Sequence, residues 1–204
     1  MTNQPAFRRS EPDARRLSLI AACARVLARE GIGGASVRTI AVEAGVSAGL
    51  VGHYFPGVDA LIAATYAHTG ARVDAALEAA VAASGDDPRA RLEAFVTASF
   101  AAPIADPELL ATWIAFWSLV RARPEIAALH DEQYGGFRAQ LEALLADCGL
   151  TAVQLRATAI AITALVDGLW LELCLSPREL TAEEAAAIAR SSLTALISTR
   201  QAAG

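Results

Sequence analysis

The chain has 204 residues, 54% of them hydrophobic, and a formal net charge of −5. That much apolar material can bury a full core, as one domain or two small ones. The acidic balance is the wrong sign for a protein whose whole surface binds nucleic acid. Cys23, Cys148 and Cys174 are widely spaced and each lies in an apolar helical context, which argues against a disulfide framework or a metal site and for a reducing compartment.

The charge is unevenly spread. Every one of the 17 basic residues is an arginine. Up to Gly57 seven arginines face four acids; beyond it ten arginines face eighteen. The first quarter therefore carries the footprint of a phosphate-binding surface, and the remainder is an acidic body.

Alanine and leucine at helical spacing dominate throughout, and no strand signal competes with them. Residues 1–12 are polar, contain Pro5 and Pro12, fit no signal peptide and read as a flexible arm. Whether Arg8, Arg9, Arg15 and Arg16 reach DNA or merely keep a tail solvated is left open. A first helix is predicted over 13–30, and two short ones over 36–44 and 47–53. Between them, Ser36 and Ser47 are N-cap residues, and Gly45 sits where the chain must leave a helix in a left-handed conformation. Ile40, Ala44, Val46, Val51 and Tyr54 supply apolar contacts, and Ala41 is small where the next helix passes. Residues 36–55 thus meet the requirements of a helix-turn-helix, which carries its second helix into the DNA major groove.

Longer helices follow, over 58–83, 88–102, 107–122, 124–147, 151–175 and 181–200. Pro88, Pro107 and Pro124 open three of them, behind Asp87 and Asp106 in the first two cases. Gly149, Ser176 and Pro177 close others, and Thr181 caps the last. The reading is an all-α fold of nine helices. Its organisation is an arm (1–12), a DNA-binding domain (13–57) and a ligand-binding and dimerisation domain (58–204). The most apolar helix is interrupted by Asp167 and Glu172, so no segment presents the roughly 18 unbroken apolar residues of a membrane span. A soluble, cytoplasmic protein is expected, with no membrane partner.

Residues 15–62 resemble the DNA-binding domain of the TetR family of bacterial repressors. Three pieces carry the likeness: Ala28-Arg29-Glu30-Gly31, the Ser36–Phe55 motif, and Tyr54-Phe55-Pro56-Gly57-Val58-Asp59-Ala60-Leu61. The resemblance implies double-stranded operator DNA as partner, transcription regulation as function, and pairing of the last two helices with their copies in a twofold homodimer. Those helices carry long, mainly apolar stripes: Ile160, Ala164, Asp167, Leu171 and Cys174 on one, Ile188, Leu193, Leu196 and Ile197 on the other. On the DNA side, Arg38, Thr39, Ser47, His53 and Tyr54 are expected to hold phosphates, with Ala48 and Gly49 letting the recognition helix sit close to bases. The family usually has a lysine at position 58 on a DNA phosphate; Val58 either forgoes that contact or leaves it to a neighbouring backbone N–H.

Trp113, Phe116 and Trp117 fall at i, i+3 and i+4 on one helix, and Trp170 lies one turn after Asp167 on another. Indole and phenyl faces beside a carboxylate are the parts of a quaternary-ammonium cage. Both patches, Thr112–Trp117 and Asp167–Leu171, are similar to the BetI branch of the family, which implies a choline-like effector. The same stripe is equally consistent with core packing, and Asp167 with a backbone or dimer contact. A second reading keeps the DNA-binding domain but makes the C-terminal part a protein-interaction module without an effector. An enzyme is not expected: the chain has no His-Glu-x-x-His, no Glu-x-x-His pair and no glycine-rich phosphate loop. No catalytic residue, metal ligand or cofactor is assigned, and His68 and His130 read as ordinary surface or boundary histidines.

Overall fold

The structure, a computed structural model, describes residues 11–202. Among them it has nine α-helices and no strand, the all-α architecture expected. The helices are α1 (Glu11–Gly34), α2 (Val37–Glu43), α3 (Ala48–Tyr54), α4 (Val58–Ala83) and α5 (Pro88–Ala98). They continue with α6 (Pro107–Val120), α7 (Pro124–Asp147), α8 (Ala152–Leu175) and α9 (Ala182–Ala202).

Local chemistry sets most boundaries. The Ser36 hydroxyl accepts the Thr39 N–H, and the Ser36 N–H donates to the Thr39 hydroxyl, a reciprocal cap of α2. Thr151 with Gln154 and Thr181 with Glu184 cap α8 and α9 by the same reciprocal logic. Asp87 and Asp106 accept backbone N–H groups ahead of Pro88 and Pro107, so each proline occupies a position where its missing donor costs nothing. Gly45 turns the chain out of α2 with φ 66°, a conformation that penalises any side chain.

Three expectations are corrected. Residues 1–10 of the predicted arm lie outside the described residues, but Glu11 and Pro12 already belong to α1, so the helix takes two residues assigned to the arm. α5 ends at Ala98 rather than 102, because Pro103 disfavours helix in the residue before it and the segment turns instead. α8 is, by length and composition, apolar enough to cross a membrane despite Asp167 and Glu172. Its Thr158, Ala159, Ile162, Val166 and Trp170 are nonetheless buried against the rest of the protein.

One hydrophobic core runs through the molecule. Leu19, Cys23, Val26 and Leu27 of α1 pack with Ile40 and Ala41 of α2, Val51 of α3 and Phe55. α4 continues that core through Leu61 and Ile62, then feeds Tyr66, Val73 and Leu77 into the bundle of α5–α9. α6 lies along α1, where the Thr112 hydroxyl reaches the Ala24 carbonyl at 3.2 Å. Glu43 binds α2 to α1 through Arg25 at 2.7 Å and Arg29 at 3.0 Å. The cysteines form no disulfide; burial raises the Cys23 thiol to about 11, so it stays protonated at physiological pH.

Candidate functional site

Two regions carry chemistry, one at the start of α4 and one against its middle. At its start, α2 and α3 present the helix-turn-helix face. Arg38 is exposed and enters none of the ion pairs among the described residues. Ser47 caps α3 through the Leu50 N–H at 3.2 Å, and Ser47, Ala48, Gly49, Gly52 and His53 are all exposed. His53 meets Tyr54 edge-on at 5.3 Å, and Tyr54 is half-buried. Thr39 is placed differently from the phosphate-holding group expected. Its hydroxyl is half-buried, donates to the Gly34 carbonyl at 2.7 Å and takes part in the Ser36 cap.

Several N-terminal arginines have structural work. Arg25 and Arg29 clamp Glu43, and the Arg16 guanidinium lies 5.0 Å from the Phe55 ring centroid, in cation–π range. At Val58 no lysine stands, and Gly57 caps α4 without a side-chain bond.

The second site lies inside the body. Trp113 of α6, Trp170 and Asp167 of α8, and Val73 of α4 line a cavity of ≈ 50 Å³. The rest of its wall includes Gln133, Tyr134 and Phe137 of α7, and Ser99. The two indoles face each other at 6.2 Å between centroids, inclined by 45°. Three of the sequence-predicted ligand residues, Trp113, Asp167 and Trp170, therefore share one space. The other two do not line it. Phe116 is fully buried against Tyr66, with centroids 4.8 Å apart. Trp117 edges an adjoining open groove that it shares with His130, Tyr134, Leu171 and Asp167 itself.

A polarised chain holds the carboxylate. The Trp117 indole N–H donates to the Tyr134 hydroxyl at 3.0 Å, and that hydroxyl donates to Asp167 Oδ1 at 3.0 Å. None of the ion pairs among the described residues includes Asp167. Burial pushes its pKa up to about 6, against the lowering effects of the Tyr134 bond and the Arg138 charge. The same burial, with Asp167 close by, raises the Tyr134 phenol. The groups sequence reasoning missed, Gln133, Tyr134 and Phe137, come from α7. The requirement that a buried aspartate find a donor was the available signal for Tyr134. Aromatic faces and a carboxylate at its edge are the groups that hold a cation, and at ≈ 50 Å³ the cavity must widen to admit a quaternary-ammonium ion.

The raised Asp167 pKa fixes a stability prediction. Unfolded, the group titrates near 3.8 and folded near 6, so the folded state binds the proton more tightly. The burial penalty is fully present above pH 6 and fades as the pH falls from 6 towards 4. Asp167→Asn keeps an acceptor for Tyr134 and removes the charge. It should raise stability in urea at pH 8 by about 2 kcal/mol, and by much less at pH 4. An equal effect at both pH values would contradict the burial of the charge.

The chain is similar to known proteins over most of its length. Residues 19–65 match the family model of bacterial regulatory proteins of the tetR family, and residues 88–198 match that of the BetI-type transcriptional repressor C-terminal part. The chain is 31% identical over 191 residues to the transcriptional regulator BetI of Paraburkholderia phytofirmans, covering 93% of this chain and 96% of that one. It is 33% identical over 188 residues to BetI of Burkholderia mallei, covering 92% and 96%. Among solved structures, a transcriptional regulator from Pseudomonas aeruginosa PAO1 superposes with a TM-score of 0.84 at 40% identity, covering 96% of this chain and 97% of that one. A regulator from Saccharomonospora viridis, solved in complex with choline, shares the fold at a TM-score of 0.74 and 20% identity, covering 91% and 96%. With its helix-turn-helix and its BetI-type C-terminal part both matched, the chain belongs to the TetR family of bacterial DNA-binding transcriptional repressors.

Proposed function

We propose that this repressor is a cytoplasmic homodimer that releases its operator when a small quaternary-ammonium ion, choline or a close relative, fills the cavity between α4, α6, α7 and α8. The observation that carries the effector class is Asp167, a carboxylate with no ion-pair partner at the wall of a cavity built from Trp113, Trp170, Tyr134 and Phe137. Choline in the Saccharomonospora viridis structure supports the same class. Asp167, Trp113 and Trp170 are the ligand-binding residues of this reading. Trp117 acts by orienting Tyr134, and Phe116 by packing. The proposed division is a DNA-reading unit over 13–57 and an effector and dimer body over 58–204, with α4 the shared strut.

Arg38, Ser47, His53 and Tyr54 are assigned to phosphates, with Ala48 and Gly49 at the closest approach to bases. Thr39 supports the contact indirectly by fixing the start of α2. Removing Arg38 as Ala should weaken binding to operator and random DNA alike, and make the salt slope shallower by about one unit. Titrations at several salt concentrations measure both; an unchanged slope removes Arg38 from the interface.

The dimer is supported by the outer face of α8. Val153, Ile160, Leu171 and Leu175 are exposed at 91%, 45%, 40% and 67%, in line with the small Ala164 and Gly168. Ile188 of α9 is 43% exposed, whereas Leu193 and Ile197 turn inward. A stripe of this kind buries well against a twofold copy of itself. Ile160→Glu should give monomers in sedimentation at micromolar concentration and lose operator affinity, while far-UV circular dichroism stays helical. A dimer that survives the substitution excludes this face.

The switch itself is tested by calorimetry. Choline should bind, and saturating operator should weaken it by the same factor by which choline weakens operator binding, about 5- to 150-fold. Because the Asp167 carboxylate balances the cation and protonates near pH 6, affinity should hold above pH 7 and fall by up to about tenfold per unit below 6. No binding at any pH removes the effector reading; binding indifferent to operator removes the switch.

A further inference from the structure

The chain has three tryptophans, and their indole N–H groups are treated differently. That of Trp117 donates to the Tyr134 hydroxyl at 3.0 Å, and that of Trp170 to the Ser99 carbonyl at 2.9 Å. Trp113 is 3% exposed and its Nε1–H meets no protein acceptor. A buried donor without an acceptor carries the full cost of its lost hydration. Tyr66 and Phe116 meet the Trp113 indole ring to ring, at 5.2 and 5.7 Å between centroids, and neither takes its proton. Packing alone would be served by a phenyl ring, which fills similar space without the donor. The indole sits in the wall of the same small cavity that holds Asp167.

The residue with the lone N–H donor and the residue with the carboxylate thus share the wall of one cavity of ≈ 50 Å³. We propose that the Trp113 Nε1–H is the specificity element of the effector site, reading an uncharged oxygen on a compact ammonium ion. The effector class is thereby narrowed to amino-alcohols and their neutral carbonyl relatives. A bare tetraalkylammonium ion satisfies the carboxylate and leaves the indole N–H unpaired. A zwitterion such as glycine betaine brings an acceptor, but its carboxylate enters a cavity too small to separate it from Asp167. The proposal rests on the cation reading above and adds to it the atom that distinguishes one cation from another.

Calorimetry of the full-length dimer against choline, tetramethylammonium and glycine betaine, repeated with Trp113→Phe, tests it. Wild type should bind choline roughly five- to tenfold more tightly than tetramethylammonium, the worth of one net hydrogen bond, and glycine betaine more weakly than choline. Trp113→Phe should weaken both cations through the smaller ring face, but choline by a further five- to tenfold, so that the preference for choline over tetramethylammonium disappears. Equal affinities in wild type, an equal loss of both cations in the variant, or tighter binding of glycine betaine than of choline each overturn the proposal. If neither cation binds wild type, the cation reading falls first and takes this one with it. Should Trp113→Phe fail to fold, the indole N–H resonances of 15N-labelled wild type decide: one of the three should move downfield with choline and stay with tetramethylammonium. No such difference overturns the assignment.

Discussion

A carboxylate buried among aromatic rings is the constraint around which the body of this protein is arranged. Asp167 has lost much of its water and enters no ion pair among the described residues, and burial outweighs the Arg138 charge, so its pKa rises to about 6. It accepts a hydrogen bond from Tyr134, and a phenol has only one proton to give. Tyr134 can aim that proton at Asp167 because its own oxygen is occupied by the Trp117 N–H. Trp117, Tyr134 and Asp167 belong to α6, α7 and α8, so one polarised chain fixes the mutual rotation of three helices. It leaves the carboxylate held in place yet not neutralised.

That arrangement is joined to the DNA-reading end by two physical links. α6 carries Trp113 into the cavity, and the preceding residue, Thr112, bonds the Ala24 carbonyl of α1. α4 lines the cavity with Val73, and its Asp74 accepts from Gln133 at 2.7 Å, a residue that also lines the cavity. The two helices are in intimate contact there, since a Cβ at Gly70 would collide with the Gln133 amide. Arg123, just after α6, pairs with Asp59 at the start of α4. At the far end, the Arg25–Glu43–Arg29 clamp makes α2 follow α1, and Arg16 over Phe55 ties the exit of α3 to the same helix. α4 and α6 thus both connect the cavity wall to the helix on which α2 and α3 are held.

The helix-turn-helix was legible because its requirements are local. Ser36, Gly45 and Ser47 each act within a few residues, and their caps and left-handed turn appear where the spacing puts them. Thr39 shows the limit of the same logic: its hydroxyl serves the α2 cap, a competing local bond that a list of polar residues near DNA does not reveal. The cavity was only half legible. Positions i, i+3 and i+4 share a helix face, but that face is wide enough to touch three neighbours. Trp113 meets the cavity, Phe116 meets Tyr66 of α4, and Trp117 meets Tyr134 of α7. Periodicity gives the face and not the neighbour, so the contribution of α7 stayed hidden.

The recognition helix constrains how such a repressor can discriminate and release. Its exposed residues are short, Ser47, Ala48, Gly49 and Gly52, with His53 at the end. A helix of this kind has few groups able to form bidentate bonds to bases. In the proposed dimer, affinity then depends on phosphate contacts and on a fixed distance between two recognition helices, both set by the body rather than by α3. Such recognition is sensitive to small changes in that distance, because phosphate contacts on both half-sites must be made at once. The body in turn holds a carboxylate whose burial is unfavourable, and in the proposed switch a cation in the cavity relieves that cost. Of the helices that line the cavity, α4 and α6 are the ones that also pack against α1, on which α2 and α3 are mounted.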